Sequence, residues 1–460
     1  MISYIKLKNF KSFEKVTLDL HGKNGIPKKL AFIYGENGSG KTNLMESMYF
    51  LRSTFDTLKN INDISNFNTG KLQEKINENP ELKNELFEKL FKQAFRPLNE
   101  LLKDNKMINS KDTMQIEIGF YLNDKEGIYL VEFDDSKVIK ETLFYTIKKR
   151  IGEIFSISCD EIKLNDSVFL EKKYKNEIED NINKFWGKHT FMSILFNETS
   201  QKNQKYINQR INKNLLDCMK FFSSSTVICN NNFGHKGFSA AASSILSNLE
   251  SGIINDDNKN ELPVFEKFLN IFFTQLYSDI KKVYYKTALT TDSTEKYELF
   301  VMKEVYNKII EIPFRLESTG TQKLLNILPA IVSSLSGSSV LIDEVDSGIH
   351  DQLMFKIIEL FKSSLLETKL GQFIATTHNT LLMKQLAPEN IYIINSDAFG
   401  NKEIKNVGDY YFRTHKNNNP QLKYLNGDYS GIPNIGYLDF KELVEDINDS
   451  FNKDENLNNE

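Results

Sequence analysis

The chain has 460 residues, 40% of them hydrophobic and 26% charged, and a formal net charge of −4. That length excludes a single small domain and leaves two or three lobes room for sizeable cores. The balance excludes a disordered chain and a globally basic nucleic-acid binder, so only a local basic patch could serve such a role. Taken in chain order, residues 2–20 alternate loosely and read as one or two strands. AFIYG (31–35) is a short apolar strand running into GENGSGKT, and NLMESMYFLRSTF has helical periodicity. Residues 55–110 carry Leu and Phe at helical spacing among charges, as in KLQEKINENPELKNELFEKLFKQAF. MQIEIGFYL and IYLVEFD alternate as strands, joined by NDKEG in the manner of a hairpin.

Residues 172–250 read as helices with a polar loop at NNNFGHKGFSA. ELPVFEKFLNIFFTQLY (261–277) reads as a strongly apolar helix and KYELFVMKE (296–304) as a strand. From 312 the order is turn, helix, strand, helix, strand, helix. The apolar run NILPAIVSSLSGSSVLI (326–342) holds Pro329, five serines and Gly337 before it meets Asp343, so it reads as a buried helix and strand rather than a membrane span. Both ends of the chain therefore carry apolar strands beside Gly- and Asp-rich turns, around a mainly helical middle. This is an α/β pattern with one lobe built from 1–54 and 296–400, an inserted region over 55–295 holding antiparallel strands around 114–147, a tail over 401–450, and disorder over 451–460.

Cys159, Cys218 and Cys229 are scattered and form no CxxC pair, which predicts reduced thiols rather than disulfides or zinc. MISYIKLKNF lacks the basic-then-apolar pattern of a signal peptide, so a cytoplasmic location without a membrane partner is expected.

Three stretches carry chemistry. Gly35-Glu36-Asn37-Gly38-Ser39-Gly40-Lys41-Thr42 matches G-x-x-x-x-G-K-[ST], with Asn43 following, between an apolar strand and a helix. Glycines let backbone N–H groups curl around a phosphate, Lys41 reaches the β- and γ-phosphates, and the Thr42 hydroxyl binds Mg²⁺. SSVLIDEVDSG (338–348) is a buried strand ending in Asp343-Glu344; Asp343 is predicted to hold Mg²⁺ and Glu344 to polarise the attacking water. QFIATTHN (372–379) ends in Thr377-His378, one strand–helix–strand unit beyond Glu344, which suits a catalytic His378. RLESTGTQKLLNIL (315–328) has two readings by itself. Ser318 or Thr319 makes a good N-cap of an ordinary helix, or the turn faces a phosphate held by another chain.

The order of these stretches resembles the ABC-type ATPases, and within them the SMC and double-strand-break repair branch. The resemblance implies an ABC-type ATPase head: a mixed sheet with a parallel core flanked by helices. It also turns Ser318, Gly320 and Gln322 into a signature turn whose helix N-terminus points at a γ-phosphate on the opposite subunit. ATP with Mg²⁺ and a homodimer or higher homo-oligomer, closed by a nucleotide sandwich, follow from it. Lys11 and Ser12 in IKLKNFKSF are implied adenine-side residues, and Asp346 a residue that crosses the interface. Gln115, Gln201 and Gln204 are all open for the family's Q-loop glutamine.

The tail NPQLKYLNGDYSGIPNIG (419–436) is similar to that of stand-alone SMC-like, OLD-related ATPases of bacterial anti-phage systems, of the PARIS and abortive-infection types. Asp428 and Ser430 depart from that pattern. OLD nucleases carry a Toprim domain with a DxD, and no DxD follows His378, so no nuclease activity is expected in this chain. The resemblance then implies a sensor or scaffold ATPase controlling a separately encoded effector. An SMC-like DNA-repair ATPase using the basic runs at 148–150 and 203–213, with DNA as a partner, is the alternative. A nucleotide-binding scaffold with negligible turnover is a third reading.

Overall fold

The computed structural model describes residues 1–22, 24–61, 96–147, 150–231, 234–238, 248–255, 258–289, 294–367, 371–397, 399–410, 419–431, 441 and 444. The helical reading of 71–95, the lysines of the run at 148–150 and the disordered end expected over 451–460 lie outside the described residues.

The N-terminal hairpin pairs β1 (Ile2–Phe10) with β2 (Phe13–Asp19). The third strand, β3 (Leu30–Gly35), is buried at every position. A strand with no polar alternation is covered on both faces, the mark of a parallel sheet core. It leads into α1 (Lys41–Phe55). After α2 (Leu98–Asn105) comes an antiparallel meander: β4 (Met114–Leu122), β5 (Lys125–Phe133), β6 (Val138–Ile147), β7 (Arg150–Ser158) and β8 (Ile162–Leu164). It extends the N-terminal hairpin into one sheet ordered β2-β1-β4-β5-β6-β7-β8. The β4–β5 connection is tighter than NDKEG suggests. Only Asn123 and Asp124 form the turn, both at positive φ, and Lys125 onward is already paired.

Helices α3 (Lys172–Phe185), α4 (Phe191–Gln201), α5 (Gln204–Arg210) and α6 (Lys213–Ser223) follow as expected. The helical reading then needs correction. Residues 226–231 are strand β9 (Thr226–Asn231), paired with β10 (Gly234–Phe238) and, in parallel, with the Asp–Glu strand. The middle of the chain, expected to be mainly helical, thus supplies strands to three sheets. A short apolar run between polar flanks does not by itself tell strand from helix, and here the parallel edge available beside the Asp–Glu strand decides.

A small third sheet joins β11 (Ser251–Ile254), β12 (Ile280–Leu289), β13 (Glu295–Val305) and β14 (Lys308–Pro313), with α7 (Leu262–Leu276) before β12. The last third builds α8 (Thr319–Leu335), β15 (Ser339–Ile342), α9 (Asp351–Glu367), β16 (Gln372–Thr376), β17 (Ile391–Ser396), β18 (Lys402–Asn406) and α10 (Pro420–Leu425). The core sheet runs β10-β9-β15-β16-β3-β17-β18, parallel from β9 to β17, with antiparallel edges. The fold is α/β, as expected, with a mixed sheet whose core is parallel. In the tail, the Tyr424 ring lies 5.9 Å from that of Tyr34 on β3, and the Tyr424 hydroxyl donates to the Gly431 carbonyl at 2.9 Å. Among the described residues no helix is long and apolar enough to cross a membrane.

Candidate functional site

Parallel strands present their carboxyl ends together, and that edge is where ligands of open α/β sheets bind. Here β16 lies between β3 and β15, so the Gly-rich loop, the Thr-His segment and the Asp–Glu pair end side by side.

The loop is shaped by Gly40, at φ +104°; a Cβ there would meet the Phe13 ring at 2.6 Å. Backbone sign and ring packing together exclude any side chain at this position. Lys41 is buried, and its Nζ donates to the carbonyls of Gly35 and Glu36, both at 2.8 Å. Burial lowers its pKa to about 8, against the opposing pull of Asp343, Glu344, Glu36 and Asp346. The Ser39 hydroxyl is fully buried and has no hydrogen-bond partner among the described residues. Asn37 and Gly38 are exposed at the tip. An ammonium resting on loop carbonyls and a buried orphan hydroxyl fit an anion rich in acceptor oxygens, as a polyphosphate is.

Asp343 is buried. Its Oδ2 accepts from the Thr42 hydroxyl at 2.8 Å and its Oδ1 from the Thr376 hydroxyl at 2.5 Å. Burial raises its pKa and the two hydroxyls pull it back down, while Glu344 and Glu46 push it up again. Glu344, half-buried, sits at φ +46°, a left-handed conformation that costs a non-glycine residue energy. It is held there from both sides. Its N–H donates to the Thr376 hydroxyl at 2.7 Å, and Lys323 Nζ donates to its carbonyl at 3.3 Å. Thr376 and Lys323 were not singled out in the sequence. The signal for Thr376 lies in the strand register, because Ile342 pairs with Ala375 and the next residues along are Asp343 and Thr376.

Among the described residues no group of three or more His, Cys, Asp or Glu could hold a metal. Thr42 and Asp343 offer one hydroxyl and one carboxylate. That sparse set fits Mg²⁺, which keeps several waters and takes phosphate oxygens.

His378 is exposed just past β16; its pKa is lowered by desolvation and then by the Lys41 charge, with Asp346, Glu344 and Asp343 opposing. It therefore shares the electrostatic field of the loop and the acidic strand. Ser318 is the N-cap of α8: its hydroxyl accepts from the Thr321 N–H at 3.2 Å. The Gln322 amide turns back onto the carbonyls of Arg315 and Glu317, at 2.7 and 2.8 Å. A Cβ on Gly320 would meet the Gly348 carbonyl at 2.5 Å, so this turn packs against the segment after Asp346. The ordinary helix start is thus real.

Lys11 pairs with Glu46 on α1. The Ser12 hydroxyl accepts from Asn43 Nδ2 and from Lys402 Nζ, both at 2.7 Å. The three glutamines go elsewhere: Gln115 lies in β4, Gln201 bonds Asn197 and Gln204 bonds Asn208. In the basic run 203–213, Arg210 is paired with Glu171 at 2.7 Å and lies 3.7 Å from the Tyr206 ring centroid.

A family profile described as "AAA domain, putative AbiEii toxin, Type IV TA system" matches residues 30–384. A stretch of 47 residues is 49% identical to the chromosome partition protein Smc of Methanocaldococcus jannaschii; it covers 10% of this chain and 4% of that protein. Among solved structures, the SmcHead bound to the C-winged helix domain of ScpA aligns at 15% identity and a TM-score of 0.43, over 88% of this chain and 96% of that one. The SMC head domain from Thermotoga maritima aligns at 13% identity and a TM-score of 0.35, over 88% and 98%.

Proposed function

Since the chain belongs to this AAA-domain family, we propose that it binds ATP at residues 35–43 and hydrolyses it beside Glu344. The observation that carries the reading is the bonded path Thr42–Asp343–Thr376–Glu344, which joins the phosphate loop to the acidic strand. Lys41 exchanges its two carbonyl partners for the β- and γ-phosphates, and Ser39 gains a partner for its buried hydroxyl. Thr42 and Asp343 would hold Mg²⁺, which when bound would neutralise phosphate charge. Glu344, pinned by Thr376 and Lys323, orients the attacking water and takes its proton. His378 meets the γ-phosphate side of that water.

The N-terminus of α8, with Ser318, Gly320 and Gln322, faces the γ-phosphate of a second copy. Two nucleotides then lie between two heads, and one chain alone has no complete site. The tail and the family description support a defence role, with this chain as the sensor or scaffold of an abortive-infection type system and a separately encoded effector, such as a Toprim nuclease. The 47-residue match, 49% identical, to an Smc protein supports the second reading, a DNA-dependent ATPase. It requires turnover to rise with duplex DNA, and the ion pair already made by Arg210 counts against its basic run.

The test is ATP turnover against protein concentration. Lys41→Ala and Ser318→Arg should each lose at least 100-fold, on the order expected for lost transition-state contacts. Mixed, they should regain up to about a quarter of wild-type turnover, because half the dimers then carry one intact composite site. Normal turnover by Ser318→Arg would sink the sandwich while leaving the phosphate loop standing.

A further inference from the structure

Lys402 opens β18, at the edge of the core sheet, and pairs in register with Ser396. Nothing in the sequence marks it, yet it is tied to the phosphate loop. Its half-buried ammonium donates to the Gly38 carbonyl at 2.9 Å and to the Ser12 hydroxyl at 2.7 Å, and lies 5.5 Å from the Phe13 ring centroid.

Each partner bears on the loop. The carbonyl of Gly38 and the N–H of Ser39 are opposite edges of one trans peptide. That N–H closes the loop on the Glu36 carbonyl at 3.2 Å, the same carbonyl on which Lys41 rests. Ser12 also accepts from Asn43, at the start of α1, and Phe13 fills the space against Gly40. One ammonium therefore joins the loop tip, the turn between β1 and β2, and the β17–β18 hairpin, which belong to two different sheets. A lysine that merely decorates a surface turn would leave its charge in water. This one is desolvated enough to lower its pKa, with Glu36 opposing.

We propose that Lys402 is a positioning residue of the nucleotide site, a strap that fixes the Gly38–Ser39 peptide against the N-terminal turn and thereby sets nucleotide affinity. The proposal rests on the ATP reading above. It acts through the loop rather than on the reacting atoms, so its removal should weaken binding without slowing chemistry at saturation. It also predicts that nucleotide binding is felt along β18.

The experiment measures Kd for Mg·ATP, KM and kcat, and amide hydrogen exchange over 391–406, for wild type, Lys402→Ala, Lys402→Arg, Ser12→Ala and the double alanine variant. Lys402→Ala should raise Kd and KM about tenfold, the scale of one charge-assisted hydrogen bond, and leave kcat within about twofold. Lys402→Arg should recover most of the affinity. The double variant should be no worse than Lys402→Ala alone, since the two groups act as a unit. Nucleotide should slow exchange in β18 of the wild type and not of Lys402→Ala. Wild-type affinity in Lys402→Ala overturns the strap, as does equal damage in Lys402→Ala and Lys402→Arg accompanied by lowered thermal stability, which marks plain scaffolding. Failure of the wild type to bind Mg·ATP overturns the ATP reading itself, and the strap with it.

Discussion

Two buried carboxylates, Asp343 at the end of β15 and Glu141 in β6, are held in opposite ways. Glu141 is fully buried and accepts from four donors: the Tyr129 hydroxyl at 2.8 Å, Trp186 Nε1 at 3.2 Å, and the N–H groups of Phe191 and Met192 at 2.5 and 3.1 Å. Two of these are backbone groups in the first turn of α4 that no intrahelical carbonyl can reach. Asp343 instead accepts from two threonine hydroxyls, one of them in the phosphate loop. Burial raises both pKa values and hydrogen bonds oppose it in both. The difference lies in what can be exchanged. Backbone N–H groups at a helix start cannot turn elsewhere, whereas a hydroxyl rotates and can give its oxygen to a cation. Glu141 therefore reads as a fixed knot, and Asp343 as the carboxylate that the proposed function needs as an adjustable ligand.

Removing one group on each side breaks the comparison most strongly. Glu344→Gln, beside Asp343, should lower kcat by about 10²–10³-fold, as expected for loss of a general base, while denaturation curves stay close to wild type. ATP should still bind, so nucleotide trapped on the variant is the confirming sign; unchanged turnover would remove Glu344 from the mechanism. Glu141→Ala should do the reverse. It strands four donors and should cost about 3 kcal/mol of stability in urea unfolding, with the Kd for Mg·ATP of the folded protein little changed. A stable Glu141→Ala protein would show that the knot is not structural.

A smaller, pH-linked effect sharpens the same contrast through two buried bases. Lys41, lowered to about 8, is partly neutral above that pH in the free protein. Nearby phosphates favour the ammonium, so ATP binding at pH 9 should take up protons, read by calorimetry in buffers of different ionisation enthalpy. His189, beside the Glu141 knot, is lowered from 6.5 to about 4 by burial and then by Lys188, and its Nδ1 lies 2.9 Å from the Thr57 hydroxyl. The folded state binds fewer protons than the unfolded one in that window. Its contribution is complete above pH 6.5 and lost as pH falls towards 4. His189→Gln should flatten this acid limb without altering proton uptake on ATP binding.

The phosphate loop was legible because it is local. Strand, glycines, lysine and helix follow one another, and Gly40 carries its own backbone requirement. Asp343-Glu344 was legible for the same reason, at the end of an unbroken apolar strand. Ser318 was legible as a cap, and its hydrogen bonds do close the turn. Thr376, Lys323 and Lys402 were not, since each is an ordinary residue type whose role depends on the element it faces. Strand β9 was hidden in a stretch that read as helical, because its apolar run, Val227 to Cys229, is too short to show a period.

What the sequence determined by itself was the chemistry that neighbouring residues perform together: a glycine-shaped loop, an ammonium and hydroxyl at a helix start, and a carboxylate pair at a strand end. Backbone dihedrals and residue order settle such features within a few positions. The tertiary structure alone decided which of them meet. Placing β16 between β3 and β15 brings Thr376 to both acidic residues, and pairing β18 to β17 brings Lys402 to Gly38 across 364 residues of chain. Hydrogen bonds act over about 3 Å, so only the order of strands in the folded sheet, and not their order along the chain, selects the partners.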